Sequence, residues 1–322
     1  MNGAARSMRA LAALTFLETL RQPVTLLLLL ALILAAVFLP MITSHTLGET
    51  DRVIADAMLA LHLLIGMLLG GFAACHSLSG EIRRGTAATV LVKPVGRAVF
   101  FLGKFAGIAG VLAGFSLTAT AAGLIARRAV IEPYTVDLWA ALPLLLGLAA
   151  AFALAGAINF FTRRPFVSDA VRLVVLFALL AFTVTGFVSS EGRGQTFGAG
   201  YSWSFAAASL LVGMAALTLS ALALTLASRL DAVPTVSICA VIVLIGMMSD
   251  YLLGRHAAVS RLAALLYAIV PNWQHFWLAD ALHLEEPIPA AYLGAAAAYA
   301  GLYLLGVLGL GIVFFRHTEV KS

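Results

Sequence analysis

The sequence predicts an all-α, polytopic membrane protein with about eight transmembrane helices, an N-terminal interfacial helix and a short polar helix between the second and third spans. Three observations predict it. Of 322 residues, 62% are hydrophobic and 11% charged, and the mean hydropathy is +1.03, which leaves too little polar surface to coat a water-soluble globule. Apolar runs of about 18 or more residues recur along the whole length, as helices crossing a hydrocarbon core require. The remaining charge is concentrated between those runs, above all in Ser79-Gly80-Glu81-Ile82-Arg83-Arg84-Gly85-Thr86, Lys93-Pro94-Val95-Gly96-Arg97 and Gly103-Lys104.

Residues 1–23 form the first element. Leu11, Leu14, Leu17 and Leu20 recur at three-residue steps, with Arg6, Arg9 and Glu18 nearer the polar side, the pattern of a helix lying along the cytoplasmic interface. No small-residue cleavage site precedes the next apolar run, so the segment is expected to stay on the mature protein. Pro23 then allows a sharp entry into the first span. Candidate spans follow at 24–42, 54–78, 99–126, 138–161, 170–188, 205–227, 235–253 and 291–315, all within one membrane domain over 1–322.

Placing the N-terminus in the cytoplasm puts fourteen of the 20 Lys and Arg on the cytoplasmic side, leaving Arg52, Arg127, Arg128, Arg193, Arg255 and Arg261 outside. This is the asymmetry expected of cytoplasmic loops. The acids Glu49, Asp51, Glu132, Asp137, Glu191, Glu285 and Glu286 lean outward, so both termini are expected in the cytoplasm. The net charge of +5 then reflects topology and contact with anionic lipid, not nucleic-acid binding. Cys75 and Cys239 fall inside apolar runs and read as small packing residues, not as a disulfide framework or metal site.

The charged island at 79–98 lies on the cytoplasmic side. Ser79 or Gly80 can start a short helix, and Pro94 stops it by removing a backbone donor and restricting its predecessors. Thr86, Ala87, Ala88 and Thr89 would let another surface approach closely, while Arg83, Arg84, Lys93 and Arg97 could pair with acids or lipid phosphates. The plain alternative is a solvated positive-inside loop.

The order Glu81, Arg84-Gly85-Thr86, Lys93-Pro94-Val95, Arg97 and Gly103-Lys104 after a second span resembles the coupling-helix region of type-2 ABC transporter permeases. Arg163-Arg164-Pro165-Phe166-Val167-Ser168, Ser228-Arg229-Leu230, Ser249-Asp250-Tyr251-Leu252 and Pro271-Asn272-Trp273-Gln274-His275-Phe276-Trp277 are also similar to stretches of bacterial members. Many members have six spans, fewer than the eight counted here. The resemblance implies a transmembrane subunit, an exporter more than an importer, in a bacterial inner membrane. It would work with a separate ATP-binding subunit and a second permease copy or homologue. ATP and Mg would belong to that partner, with no cofactor or enzymatic chemistry on this chain. Gly103-Lys104 is followed by Phe105 and lacks the glycine and hydroxyl of a phosphate cradle. By the same resemblance, Glu81, Arg84, Gly85 and Thr86 would fill the ATPase groove, with Arg83 also among the coupling residues, and Lys93, Pro94 and Arg97 would set the helix end and anchor it at the headgroups.

Gly66 and Gly70, Gly103 and Gly107, and Gly110 and Gly114 repeat the small-x-x-x-small spacing of close helix contacts, either within one chain or at a dimer face. In the segment 254–290, Leu262, Leu265, Leu266 and Ile269 predict an amphipathic extracytoplasmic helix, with Trp273 and Trp277 as an interfacial anchor or outer gate. His275, Asp280, His283, Glu285 and Glu286 match no standard zinc spacing. Of the ionisable residues near the spans, only His62 lies deep, so a proton-coupled secondary transporter is the weaker reading. A non-transporting membrane scaffold is the third. No paired catalytic motif points to an intramembrane enzyme.

Overall fold

The computed structural model describes residues 2–43, 49–83, 96–131, 135–283 and 287–316. It is 85% helical. Helix α1 spans Asn2–Leu20 and α2 Pro23–Ile42; α3, Thr50–Ala74, continues through a π-turn at Cys75–Ser79 into the short α4, Gly80–Arg83. Helix α5 is Arg97–Arg128, followed by a small antiparallel ladder of β1, Val130–Ile131, with β2, Thr135–Val136. Helices α6 (Leu138–Thr162), α7 (Phe166–Phe187), α8 (Trp203–Ala227) and α9 (Ala232–Met247) follow. A π-turn at Asp250–Gly254, α10 (Arg255–Ala257), α11 (Arg261–Ile269), a 3₁₀ turn at Trp273–Phe276 and α12 (Ala279–His283) lead to α13, Ala290–Arg316.

Local chemistry sets several boundaries. Pro23 occupies the first turn of α2, where its missing N–H has no helical bond to lose. The Asp137 carboxylate accepts from the backbone N–H groups of Trp139 and Ala140, at 2.8 and 3.3 Å, and starts α6. That helix stops where Arg163 turns left-handed, φ 57°, just before Arg164 and Pro165.

Among the described residues, seven helices are long and apolar enough to cross a membrane: α2, α3 with its π-turn, α5, α6, α7, α8 and α13. An eighth exists if the bent pair Ala232–Met247 and Asp250–Ala257 counts as one span. The chain is a multi-pass membrane protein. The straight span expected over 235–253 is bent by 64°, and nearby polar groups hold the bend. The indole N–H of Trp273 donates to the Ile242 carbonyl at 3.3 Å, and the Gln274 amide donates to the Met247 carbonyl at 2.8 Å. Asp250 Oδ1 accepts from Tyr267 and Asn272, both at 2.7 Å. Carbonyls exposed by a bend at membrane depth need such donors, because lipid supplies none.

The bundle is built around α3, α5 and α8, with α1 laid along α5, α13 against α8, and the α6–α7 hairpin at the side. Small residues let the backbones approach. A Cβ on Gly66 would stand 3.0 Å from the Ala216 Cβ, and one on Gly70 2.8 Å from the Ser220 Cβ. A Cβ on Gly107 would stand 2.6 Å from the Ala12 carbonyl oxygen. The Gly66/Gly70 and Gly103/Gly107 pairs therefore pack within the chain, the first against α8 and the second against α1.

At the bundle end away from α1, two arginines close α5. Arg127 binds both carboxylate oxygens of Asp51 and donates to Ser202 Oγ at 2.9 Å. Arg128 donates to the carbonyls of Thr185 and Val188 and lies 3.6 Å from Asp137 Oδ2. These bonds tie the starts of α3, α6 and α8 and the end of α7 to one helix terminus. The Tyr201 hydroxyl donates to the Phe182 carbonyl, at 2.6 Å, inside the same cluster. Burial, the larger influence, raises its pKa above that of an ordinary phenol.

Candidate functional site

Lys104 is the most deeply buried cation in the described structure, 1% exposed, on the α5 face turned toward α1 and α4. Its ammonium lies 2.5 Å from Glu81 Oε1 and 3.5 Å from Glu18 Oε2, and 5.6 Å from the centre of the Phe100 ring. Burying an ammonium is costly unless opposite charge surrounds it, and here two carboxylates and an aromatic face do. The ion cluster joins three elements that the sequence keeps far apart: α1, the exit of α3, and α5.

Local folding puts each group in place. In α1, Leu11, Thr15 and Glu18 share one face by their spacing of four and three. The first two are buried against α5, where Gly103 and Gly107 admit the helix. The π-turn Cys75–Ser79 inserts an extra residue into the end of α3. Such an insertion turns everything beyond it by about 100° relative to an uninterrupted helix. Glu81 comes just after it, so the π-turn helps aim its carboxylate at Lys104.

Arg97 makes a second tie. It opens α5 and donates through Nη1 to the carbonyls of Phe315, at 3.3 Å, and Arg316, at 2.5 Å, the last residues of α13. A cation there also complements the negative end of that helix. Phe100 and Phe101 pack on Phe315, with ring centres 5.6 and 6.2 Å apart.

Of the residues expected to couple to a partner, Glu81 and Arg97 are thus joined through α5. Arg83 belongs to α4, but its side chain lies outside the described residues, as do Arg84, Gly85, Thr86, Lys93 and Pro94. In sequence, the segment 84–95 lies between α4, which holds Glu81, and Gly96, which precedes Arg97 at the start of α5. Trp273 is buried at the α9 bend and Trp277 is half-buried beyond it. The side chain of His283, with Glu285 and Glu286, is outside the described residues. Among those described, no group of three or more His, Cys, Asp or Glu is placed to hold a metal ion.

Glu18, which the sequence pattern puts on the polar face of α1, is a partner of Lys104. The signal was present: Lys104 falls inside the predicted span 99–126, and a cation within a span calls for a nearby acid. His62, singled out for its depth, is 1% exposed and bonded on both ring nitrogens, to Ser209 Oγ at 2.9 Å and Ser116 Oγ at 3.0 Å. Thr120 extends the network to Ser209 at 2.7 Å.

Between α2, α3, α8 and α9 an open groove of about 540 Å³ is lined almost wholly by apolar side chains, with Cys75 and Cys239 in its wall. Leu64, Leu68, Val236 and Leu244 stand exposed along it. Both cysteines are free thiols. Compared with protein-family models and with curated proteins, the sequence matches none.

Proposed function

We propose that the chain is the transmembrane permease subunit of an ATP-driven ABC-type transporter, an exporter of a bacterial inner membrane with both termini in the cytoplasm. ATP and Mg would be handled by a separate subunit docked on the segment 84–95. One observation carries the reading: both ends of that segment are tied into α5, through Glu81 on Lys104 and Arg97 at the opening of the helix. A push on the segment reaches α3 and α5 directly, α1 through Glu18 and α13 through the Arg97 contacts. An ordinary solvated loop needs no buried lysine with two carboxylates at its root. The groove along α3 and α9 supports a second copy or a lipid-like cargo on that side, since its apolar rim is unsuited to a hydrophilic solute.

The test is co-expression with an ATP-binding protein encoded beside this chain, followed by affinity purification in mild detergent and identification of co-purified chains by mass. The wild type should recover the ATPase, and an Arg84→Ala/Thr86→Ala variant should lose it while remaining monodisperse. A well-folded wild type that recovers no ATPase sinks the proposal and promotes the secondary-transporter or scaffold reading.

A further inference from the structure

A second cavity lies between α1, α2, α5 and α7. It holds about 190 Å³ and its walls are apolar, including Phe16, Leu29, Val111 and Val175. Arg172 is the charged residue in its lining. Two features set it apart from a packing flaw. The first is its floor: no atom lies within 4 Å of the place a Cβ on Gly114 would occupy, so the space there is open instead of filled by a neighbour. The second is its rim. The Arg172 side chain is 49% exposed, and one guanidinium nitrogen lies 3.2 Å from Asp169. Its other N–H groups have no protein acceptor among the described residues. Arg21 directly follows Leu20, which also lines the cavity. Arg21 is exposed in the turn between the lining residues Leu20 and Thr25, and its charge adds to the Arg172–Asp169 pair, which is neutral by itself.

An apolar slot with a cationic rim, in the wall of a membrane bundle and beneath an amphipathic helix, is complementary to one kind of molecule. We infer that this cavity binds a single anionic phospholipid, its acyl chain lying over Gly114 and its phosphate held by the free face of the Arg172 guanidinium. An arginine fork suits phosphate oxygens, and a long basic side chain near a span end reaches the headgroup layer. Bound there, the lipid would fill the gap between α1 and α7, two helices that otherwise touch little. The site does not depend on the transporter reading.

The experiment is native mass spectrometry of delipidated protein titrated with phosphatidylglycerol or phosphatidylcholine of the same acyl chains. The wild type should retain one phosphatidylglycerol with about tenfold preference over phosphatidylcholine, whose phosphate arrives with a choline ammonium that competes with the arginines for it. Arg172→Gln should abolish that preference. Gly114→Leu starts from a Cβ position with nothing within 4 Å, extends its side chain into the slot, and should weaken retention of either lipid by at least about tenfold. A phosphatidylglycerol carrying a photoreactive acyl chain should label wild-type α5 and α7 around Val111 and Val175, which keeps the test independent of how the variants fold. Equal retention of the two lipids by the wild type, unchanged retention in a folded Gly114→Leu variant, or labelling confined to other helices would each overturn the inference.

Discussion

Glu81 and Lys104 form a buried ion pair at the α1 end of the bundle, 2.5 Å apart with the lysine side chain 1% exposed. Breaking such a pair costs more than the pair itself contributes, because the survivor is left buried and uncompensated. Lys104→Met should therefore destabilise the protein by about 3–5 kcal/mol, leaving Glu81 and Glu18 facing each other. The double variant Lys104→Met/Glu81→Met should recover much of that loss. Thermal unfolding in detergent, followed by tryptophan fluorescence, gives both values. Additive losses in the double variant would show that the two groups do not interact.

The α3–α8 seam gives a steric prediction with an internal control. Gly70 faces Ser220 with no room for a larger side chain, whereas a Cβ on Gly71 meets nothing within 4 Å. Gly70→Leu should lower stability by about 1–3 kcal/mol through overpacking. Gly71→Ala should be neutral or slightly stabilising, since alanine is the better helix former. Melting temperatures of the two variants, measured side by side, decide it.

At the far end, Asp137 caps α6 and faces Arg128. Asp137→Asn keeps an oxygen for the Trp139 and Ala140 N–H groups but removes the charge, while Asp137→Ala removes both. The alanine variant should be about 1 kcal/mol less stable than the asparagine variant, the usual worth of a helix cap. Equal losses would mean that Asp137 acts through its charge alone.

The Tyr267 pKa is raised, chiefly because its hydroxyl donates to Asp250. A proton held more tightly in the folded protein than in the unfolded chain stabilises fully below the ordinary phenol pKa, about 10. That contribution is lost as pH rises through the higher folded value. The attachment of α11 to the α9 bend should thus be insensitive to pH between 6 and 9 and loosen only in stronger alkali. Hydrogen exchange of α11 reports the attachment. Tyr267→Phe should speed exchange across the whole range, and a variant with wild-type exchange would dismiss the Asp250 contact as an anchor.

The spans were legible in the sequence because hydropathy is a sum over about 20 neighbouring residues, which one chain displays directly. The α9 bend was not. Ser249 and Asp250 stand inside an apolar run whose average conceals them, and the donors that make a bend tolerable come from Trp273 and Gln274 in a separate segment. The polar root of the 84–95 segment was visible through Glu81 and Arg97, but their tertiary contacts were not. Glu18 read as the polar face of an interfacial helix, and only the close approach of α1 to Gly103 and Gly107 turns it toward Lys104. His62 stood out by depth alone. Its hydroxyl partners did not, since serine and threonine in membrane helices usually satisfy themselves on their own backbone, as Thr118 does on Gly114.

The bend in α9 also carries an order of assembly. The Ile242 and Met247 carbonyls receive their side-chain donors from residues 31 and 27 positions further along the chain. When α9 first enters the bilayer during synthesis, neither Trp273 nor Gln274 has yet been made, and the lowest-energy form available is the straighter helix. Bending must wait for the later segment, so a nascent chain halted before residue 270 should hold α9 as an uninterrupted span. Cysteine-accessibility mapping of such a halted chain would find residues near 250 at a different depth from those of the finished protein.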